Sequence, residues 1–190
     1  MTGRTHDAIA FASLVTVAGL YPPNSITIGT FFACVVGNII GAALPDMDQE
    51  SNKLWDLLPA GDTIGSIFRR VFLGHRTLSH SLIGVFIFYK IFEWVLPRVF
   101  NSSFVDPQLV LFSVMIGTIS HLAGDALTKD GIPLLFPFPV KFGFPPIRAF
   151  RITTDSWMEK YVVMPSVFLY LVWFLQSQKD NLLTLLKNVS

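Results

Sequence analysis

Charge is scarce in this chain. Asp, Glu, Lys and Arg make up 14% of its 190 residues, against about 25% in an average soluble domain. The net charge is +1, so there is no basic surplus to follow a nucleic-acid backbone, and nucleic acid is not an expected partner. Cysteine is scarcer still. Cys34 is the one thiol; it excludes an internal disulfide and, set within an apolar run, reads as a small buried side chain. A cleavable signal peptide is not expected either: Met1–Ala10 carries one Arg, then His6 and Asp7, a poor n-region with no A-x-A site at the right distance. What is abundant is apolar, with 52% hydrophobic residues, 18 Phe and a mean hydropathy of +0.55. That balance predicts a single membrane-embedded domain over residues 1–190.

Five apolar runs organise the chain. Ala8–Leu20 is short for a span and is broken by Tyr21-Pro-Pro-Asn24. Ile26–Leu44 has no charge and is stopped by Pro45. Leu78–Leu96 is interrupted by Lys90 and Glu93 and ended by Pro97. Leu109–Ala123 runs into Gly124-Asp125. Tyr161–Leu175 has Pro165 near its start. A helix needs roughly 20 residues to cross the hydrocarbon, so the expected architecture is all-α: a polytopic membrane bundle of four to five transmembrane helices. Between the runs, Asn52–Leu58 and Thr63–Leu73 read as short amphipathic interfacial helices, and Lys129–Lys160 as an irregular loop lying on the core. The tail Gln176–Ser190 suits a short amphipathic helix.

If runs one to four form two hairpins, the N-terminus and the 49–76 and 129–160 loops share a side. That side holds Arg4, Lys53, Arg69, Arg70, Arg76, Lys129, Lys141, Arg148, Arg151 and Lys160; loops 21–25 and 97–108 hold only Arg98. Positive loops stay in the cytoplasm, so this side is expected to be cytoplasmic, in an inner (plasma) membrane.

The chemistry-bearing residues gather on the same side. His121 and Asp125 are four apart, on one helix face. His75 and His80 flank Arg76, whose planar fork suits phosphate. Asp46 and Asp48 form a D-x-D pair just past a helix stop, a spacing that suits divalent cations. His6 lies near the N-terminus, and Glu159 begins run five. All four histidines fall at predicted helix ends, beside carboxylates, where imidazole, the commonest metal ligand, can share a cation with them. The expected metal ligands are therefore His6, Asp46, Asp48, His75, His80, His121, Asp125 and Glu159, holding one or two divalent ions. Mixed His/Asp ligation fits zinc, with manganese or iron as alternatives.

The series Thr5-His6, L-P-D-x-D at 44–48, G-H-R-x-x-x-H-S at 74–81, S-H-x-x-x-D-x-x-T at 120–128 and G-x-P-L-L-x-P at 131–137 resembles the YdjM-like family of membrane-bound metal-dependent hydrolases, also described as LexA-binding and inner membrane-associated. The resemblance runs from about His6 to Glu159 and implies a hydrolase without naming a substrate. The ligand order is more distantly similar to zinc-dependent phospholipase C and the S1/P1-type nucleases. That similarity implies a phospholipase C-like site: His121, one of Asp46 or Asp48, and His75 or His80 on one metal, Asp125 bridging, and His6 on a second. Those enzymes have further histidines downstream. This chain has none after His121, which leaves only Asp155 or Glu159 for a third metal.

The expected function is hydrolysis of a phosphoester, in a lipid-like or small amphiphilic substrate, by metal-activated water. Whichever of Asp46 and Asp48 is not a ligand would act as base, and Arg76 would neutralise phosphate charge. Membrane lipids are the expected surroundings. The competing expectations are a metal-stapled structural or regulatory membrane protein and an ion or metal transporter, the latter disfavoured because transporter sites lie near the bilayer midplane.

Overall fold

The computed structural model describes residues 1–48 and 77–189. The described residues contain six α-helices: α1 Gly3–Leu20, α2 Ile28–Ala43, α3 Leu82–Val99, α4 Pro107–Ala126, α5 Met164–Ser177 and α6 Lys179–Lys187. Single 3-10 turns at Pro45–Asp48 and Leu78–His80 follow α2 and precede α3, and a π-helical turn Glu159–Val163 leads into α5. The described residues contain only isolated β-bridges, so the fold is all-α. The two interfacial helices expected within 52–73 lie outside the described residues.

Local chemistry explains the boundaries. Asp106 caps α4 by accepting from the amides of Gln108 (2.8 Å) and Leu109 (3.3 Å), with Pro107 at the first helical position, where its missing N–H costs nothing. Thr27 and Ser81 cap α2 and α3 in the same way. Two boundaries depart from the sequence reading. α1 begins at Gly3, not Ala8, which places His6 inside the helix. Pro97 does not end α3: it stands in the last turn, two residues before Val99, where only one intrahelical bond is forfeited.

α4 is the axis of the bundle, with α2 packed most closely on it and α1 and α3 against its other flanks. Small residues make the α2–α4 approach possible. A Cβ on Gly41 would strike the Val114 carbonyl, and one on Gly117 would strike that of Asn38, so the two backbones touch, as at small-residue interfaces in membranes. Thr118 Oγ1 shares its one proton between Gly41 O across this contact (3.1 Å) and Val114 O within α4 (3.0 Å). Leu44, Met47, Phe88, Leu96, Val110, Leu111, Val114 and Met115 form the core beside it.

The outer faces are apolar as well. Phe32, Phe112, Phe168 and Trp173 are exposed, the reverse of a soluble protein's surface. Among the described residues two helices, Pro107–Ala126 and Glu159–Ser177, are long and apolar enough to cross a membrane; Ile28–Ala43 is apolar but shorter. α1 is made less apolar by the polar residues of its first turns, and α3 carries three charges, Lys90, Glu93 and Arg98.

The 127–158 segment is the expected irregular loop. Leu127 and Lys129 pair with Ile152, Ile132 pairs with Phe142, and Phe144 N reaches Ala126 O (2.8 Å). The Arg151 guanidinium donates to the carbonyls of Gly143, Pro145 and Pro146. The loop is thereby tied to the C-terminal end of α4.

Candidate metal centre

Four elements bring imidazoles and carboxylates to one end of the bundle. His6 comes from the second turn of α1, Asp46 from the 3-10 turn after α2, His80 from the 3-10 turn before α3, and His121 and Asp125 from the last two turns of α4. His6, His80, His121 and Asp125 are buried; Asp46 is the most accessible of the five, with its side chain 22% exposed.

His80 Nε2 lies 3.5 Å from both Asp46 Oδ1 and Asp125 Oδ2. His121 Nε2 lies 3.7 Å from Asp46 Oδ1 and 3.9 Å from Asp125 Oδ2. With metal–ligand bonds of about 2.1 Å, the donors of a tetrahedral ion stand about 3.4 Å apart, close to these four separations. Two overlapping triads, His6/Asp46/His121 and His80/His121/Asp125, each keep their ligand atoms within 4.8 Å of one another. Among the described residues, Asp46 Oδ1 and His121 Nε2 are buried with no hydrogen-bond partner. Buried polar atoms without partners are costly, and a shared cation would satisfy both.

The surroundings orient the rings. His121 Nδ1 is 2.6 Å from Ala42 O. A carbonyl can only accept, so Nδ1 carries the proton and Nε2 presents its lone pair to the cluster, the usual outer support of a metal-binding imidazole. His6 stacks on His121 with ring centroids 3.7 Å apart, and its Nε2 is 3.1 Å from Asp125 Oδ1. Gly124 leaves room for this ring, since a Cβ there would sit 3.2 Å from His6 Nδ1. Ser79 Oγ stands 3.0 Å from His80 Nδ1. Burial opposes the charge of Asp46, but the imidazoles of His80 and His121 beside it outweigh this and hold the carboxyl well below its ordinary range. Burial likewise opposes protonation of His80, and Asp125 and Asp46 together reverse this, raising its pKa.

His75, Arg76 and the side chain of Asp48 lie outside the described residues. Glu159 is buried but turned to the start of α1: its carboxylate accepts from Thr2 N (2.6 Å), Thr2 Oγ1 (2.9 Å) and Asp155 N (2.8 Å), and it is not among the grouped ligand atoms. Asp155 is exposed and pairs with Lys160 Nζ at 2.8 Å.

A match to the model of the YdjM inner membrane protein family extends over residues 1–182. The chain belongs to that family. It is 29% identical over 164 residues to the "Uncharacterized protein YvsG" of Bacillus subtilis, covering 86% of this chain and 88% of the relative. It is 27% identical over 181 residues to the "Inner membrane protein YdjM" of Escherichia coli, covering 95% and 86%. No solved structure matches the chain. Within this YdjM-family chain, the three described histidines, His6, His80 and His121, all contribute to the cluster.

Contacts that spacing did not signal are the Met1 amine, 2.5 Å from Asp125 Oδ1, and the Ala42 carbonyl behind His121. The Glu159–Thr2 contact spans 157 positions, so no local pattern announces it. Glu159→Ala would leave the Thr2 amide and hydroxyl without their acceptor at a helix start, where a carboxylate is favoured. It is expected to cost about 1–3 kcal/mol, read as a lower thermal midpoint in detergent; an unchanged midpoint would show that this strap adds nothing.

Proposed function

We propose that this chain is a membrane-bound metal-dependent hydrolase acting on a phosphoester, in a lipid or lipid-like amphiphile, at the cytoplasmic membrane face. The observation that carries the reading is the partial exposure of Asp46 at the edge of an otherwise buried His/Asp cluster. A catalytic site needs one approachable position, whereas a structural site is closed.

His80, His121, Asp46 and Asp125 would hold the cation, zinc first by ligand type with manganese or iron as alternatives, and His6 would support a second. A bound divalent ion supplies a hydroxide near neutral pH by lowering the pKa of a coordinated water. The chain does the rest. Ala42 fixes the His121 tautomer, and stacking fixes the His6 ring. Asp46 would form the reachable edge of the cage, and Asp48, the carboxylate of the pair not assigned to the cation, would take a proton from the incoming water. Arg76 is assigned to the substrate phosphate from its sequence position. Four or five spans would place this end of the bundle beside the positively charged loops, hence in the cytoplasm. A substrate already in the bilayer could then arrive laterally.

The test uses full-length protein in lipid nanodiscs, loaded with Zn²⁺ or Mn²⁺ and assayed on bis-p-nitrophenyl phosphate and on phospholipids by phosphorus NMR. Turnover is expected, and Asp46→Asn is expected to lower kcat by roughly 100-fold or more. A second reading, a metal that only staples the helices, is favoured by the burial of the other four ligand residues. Stoichiometric metal without turnover on any of these substrates would select it.

A further inference from the structure

Charge in four of the long helices is confined to their ends. α1 carries Arg4, His6 and Asp7 in its first two turns, α4 has His121 and Asp125 in its last two, and α2 and α5 carry none. α3 breaks the pattern. Lys90 is its ninth residue of 18, with Glu93 one turn on. Their side chains are 54% and 38% exposed, and Lys90 Nζ meets Glu93 Oε2 at 2.7 Å. Tyr89 OH donates to Glu93 Oε1 at 3.0 Å. The pair is ringed by exposed apolar side chains, Phe86 and Trp94 (60% each) and Ile91, lining a shallow depression with Ile87 and Val95. The opposite face of α3, with Gly84, Phe88 and Leu96, is the one buried in the bundle.

An ion pair at mid-helix on a lipid-facing surface is costly, and ionisable groups at that depth face a protein interior or a partner. The Lys90 ammonium has three N–H groups, one of which serves Glu93, while the nearest rings, Tyr89 and Phe86, stand 5.4 and 6.0 Å away. A base and an acid one turn apart on one face are self-complementary. In two parallel copies related by a two-fold axis along the membrane normal, Lys90 of one and the partner's Glu93 differ in height by about 4.5 Å, within a lysine's reach. Each contact is repeated by symmetry, as an isologous interface requires.

We propose that the outer face of α3 is a homodimer interface in which Lys90 and Glu93 exchange partners between two copies of the chain. It rests on the reading that α3 crosses the bilayer, and the test separates the two. Full-length protein in nanodiscs, in a Cys34→Ala background with Ile91→Cys, is treated from the water with a membrane-impermeant maleimide. Shielding of Ile91→Cys is expected; ready labelling would overturn the spanning premise and the dimer with it. Oligomeric state is then measured by single-molecule photobleaching. Wild type is expected to be dimeric, and Lys90→Glu and Glu93→Lys alone each to weaken self-association by roughly tenfold or more, since like charges then oppose across the interface. Co-expressed with different tags, the two variants are expected to pair with each other in preference to themselves, because every cross-copy contact is then acid to base. That preference cannot arise from the intrahelical pair alone. A shielded but monomeric wild type, or single variants that dimerise like wild type, would overturn the proposal while leaving the spanning reading intact.

Discussion

Asp125→Asn is expected to lower divalent-metal affinity by more than roughly 100-fold, beyond the range seen when only an outer supporting residue is changed. The substitution keeps the size of the side chain and removes its charge. Asp125 is the hub of the cluster: one oxygen faces His6 at 3.1 Å and the Met1 amine at 2.5 Å, and the other faces His80 at 3.5 Å and His121 at 3.9 Å. An amide offers a weaker neutral oxygen and one NH2 group that would point at an imidazole lone pair or at the cation. Elemental mass spectrometry on Zn²⁺-reconstituted protein, wild type beside the variant, reads the effect, with circular dichroism to show that the helices persist. Full metal stoichiometry in a folded variant would remove Asp125 from the ligand set and with it the proposed site.

Gly41→Leu is the second large effect. The new side chain would have to occupy space held by the Val114 backbone, and a backbone cannot swing aside as a long side chain can. Overpacking of this kind costs typically 1–3 kcal/mol and sometimes more; here about 3 kcal/mol or more is expected, because α2 and α4 must separate along their length. Separation would also move Ala42 O away from His121 Nδ1, so the thermal midpoint and metal occupancy should fall together. A variant with wild-type stability would mean that α2 and α4 pack with slack at Gly41.

The parts of this arrangement legible in the sequence are those encoded by period and punctuation. His121 and Asp125 share a face because they are four apart on a helix, and Pro45 ends α2 where the hydropathy ends. The convergence of His6, Asp46, His80 and the α4 pair follows from antiparallel alternation of the apolar runs. What was illegible depends on atoms distant in sequence or on polar residues within helices. The start of α1 is polar, so hydropathy placed it at Ala8, whereas backbone bonds to Thr2 O begin the helix earlier. The role of Glu159 depends on a fold that returns the chain to Thr2. That Asp46 reaches the cluster depends on the rotation of one 3-10 turn, for which a D-x-D spacing carries no information. Pro97 misled because a proline costs a helix one hydrogen bond and a clash with the carbonyl four residues back without forbidding it, and α3 runs two residues beyond.

The span between His6 and Asp125, 119 positions, has a consequence for biosynthesis. A ribosome adding roughly 5–20 residues per second needs on the order of 6–24 s after His6 before Asp125 exists. Through the later part of that interval α1, α2 and the turn after α2 have already been made, and His6 and Asp46 wait without the helix that completes the cage. The last ligands arrive on the same helix that fills the centre of the bundle, so closing the cage and completing the core are one event. A nascent chain stopped short of α4 would have neither.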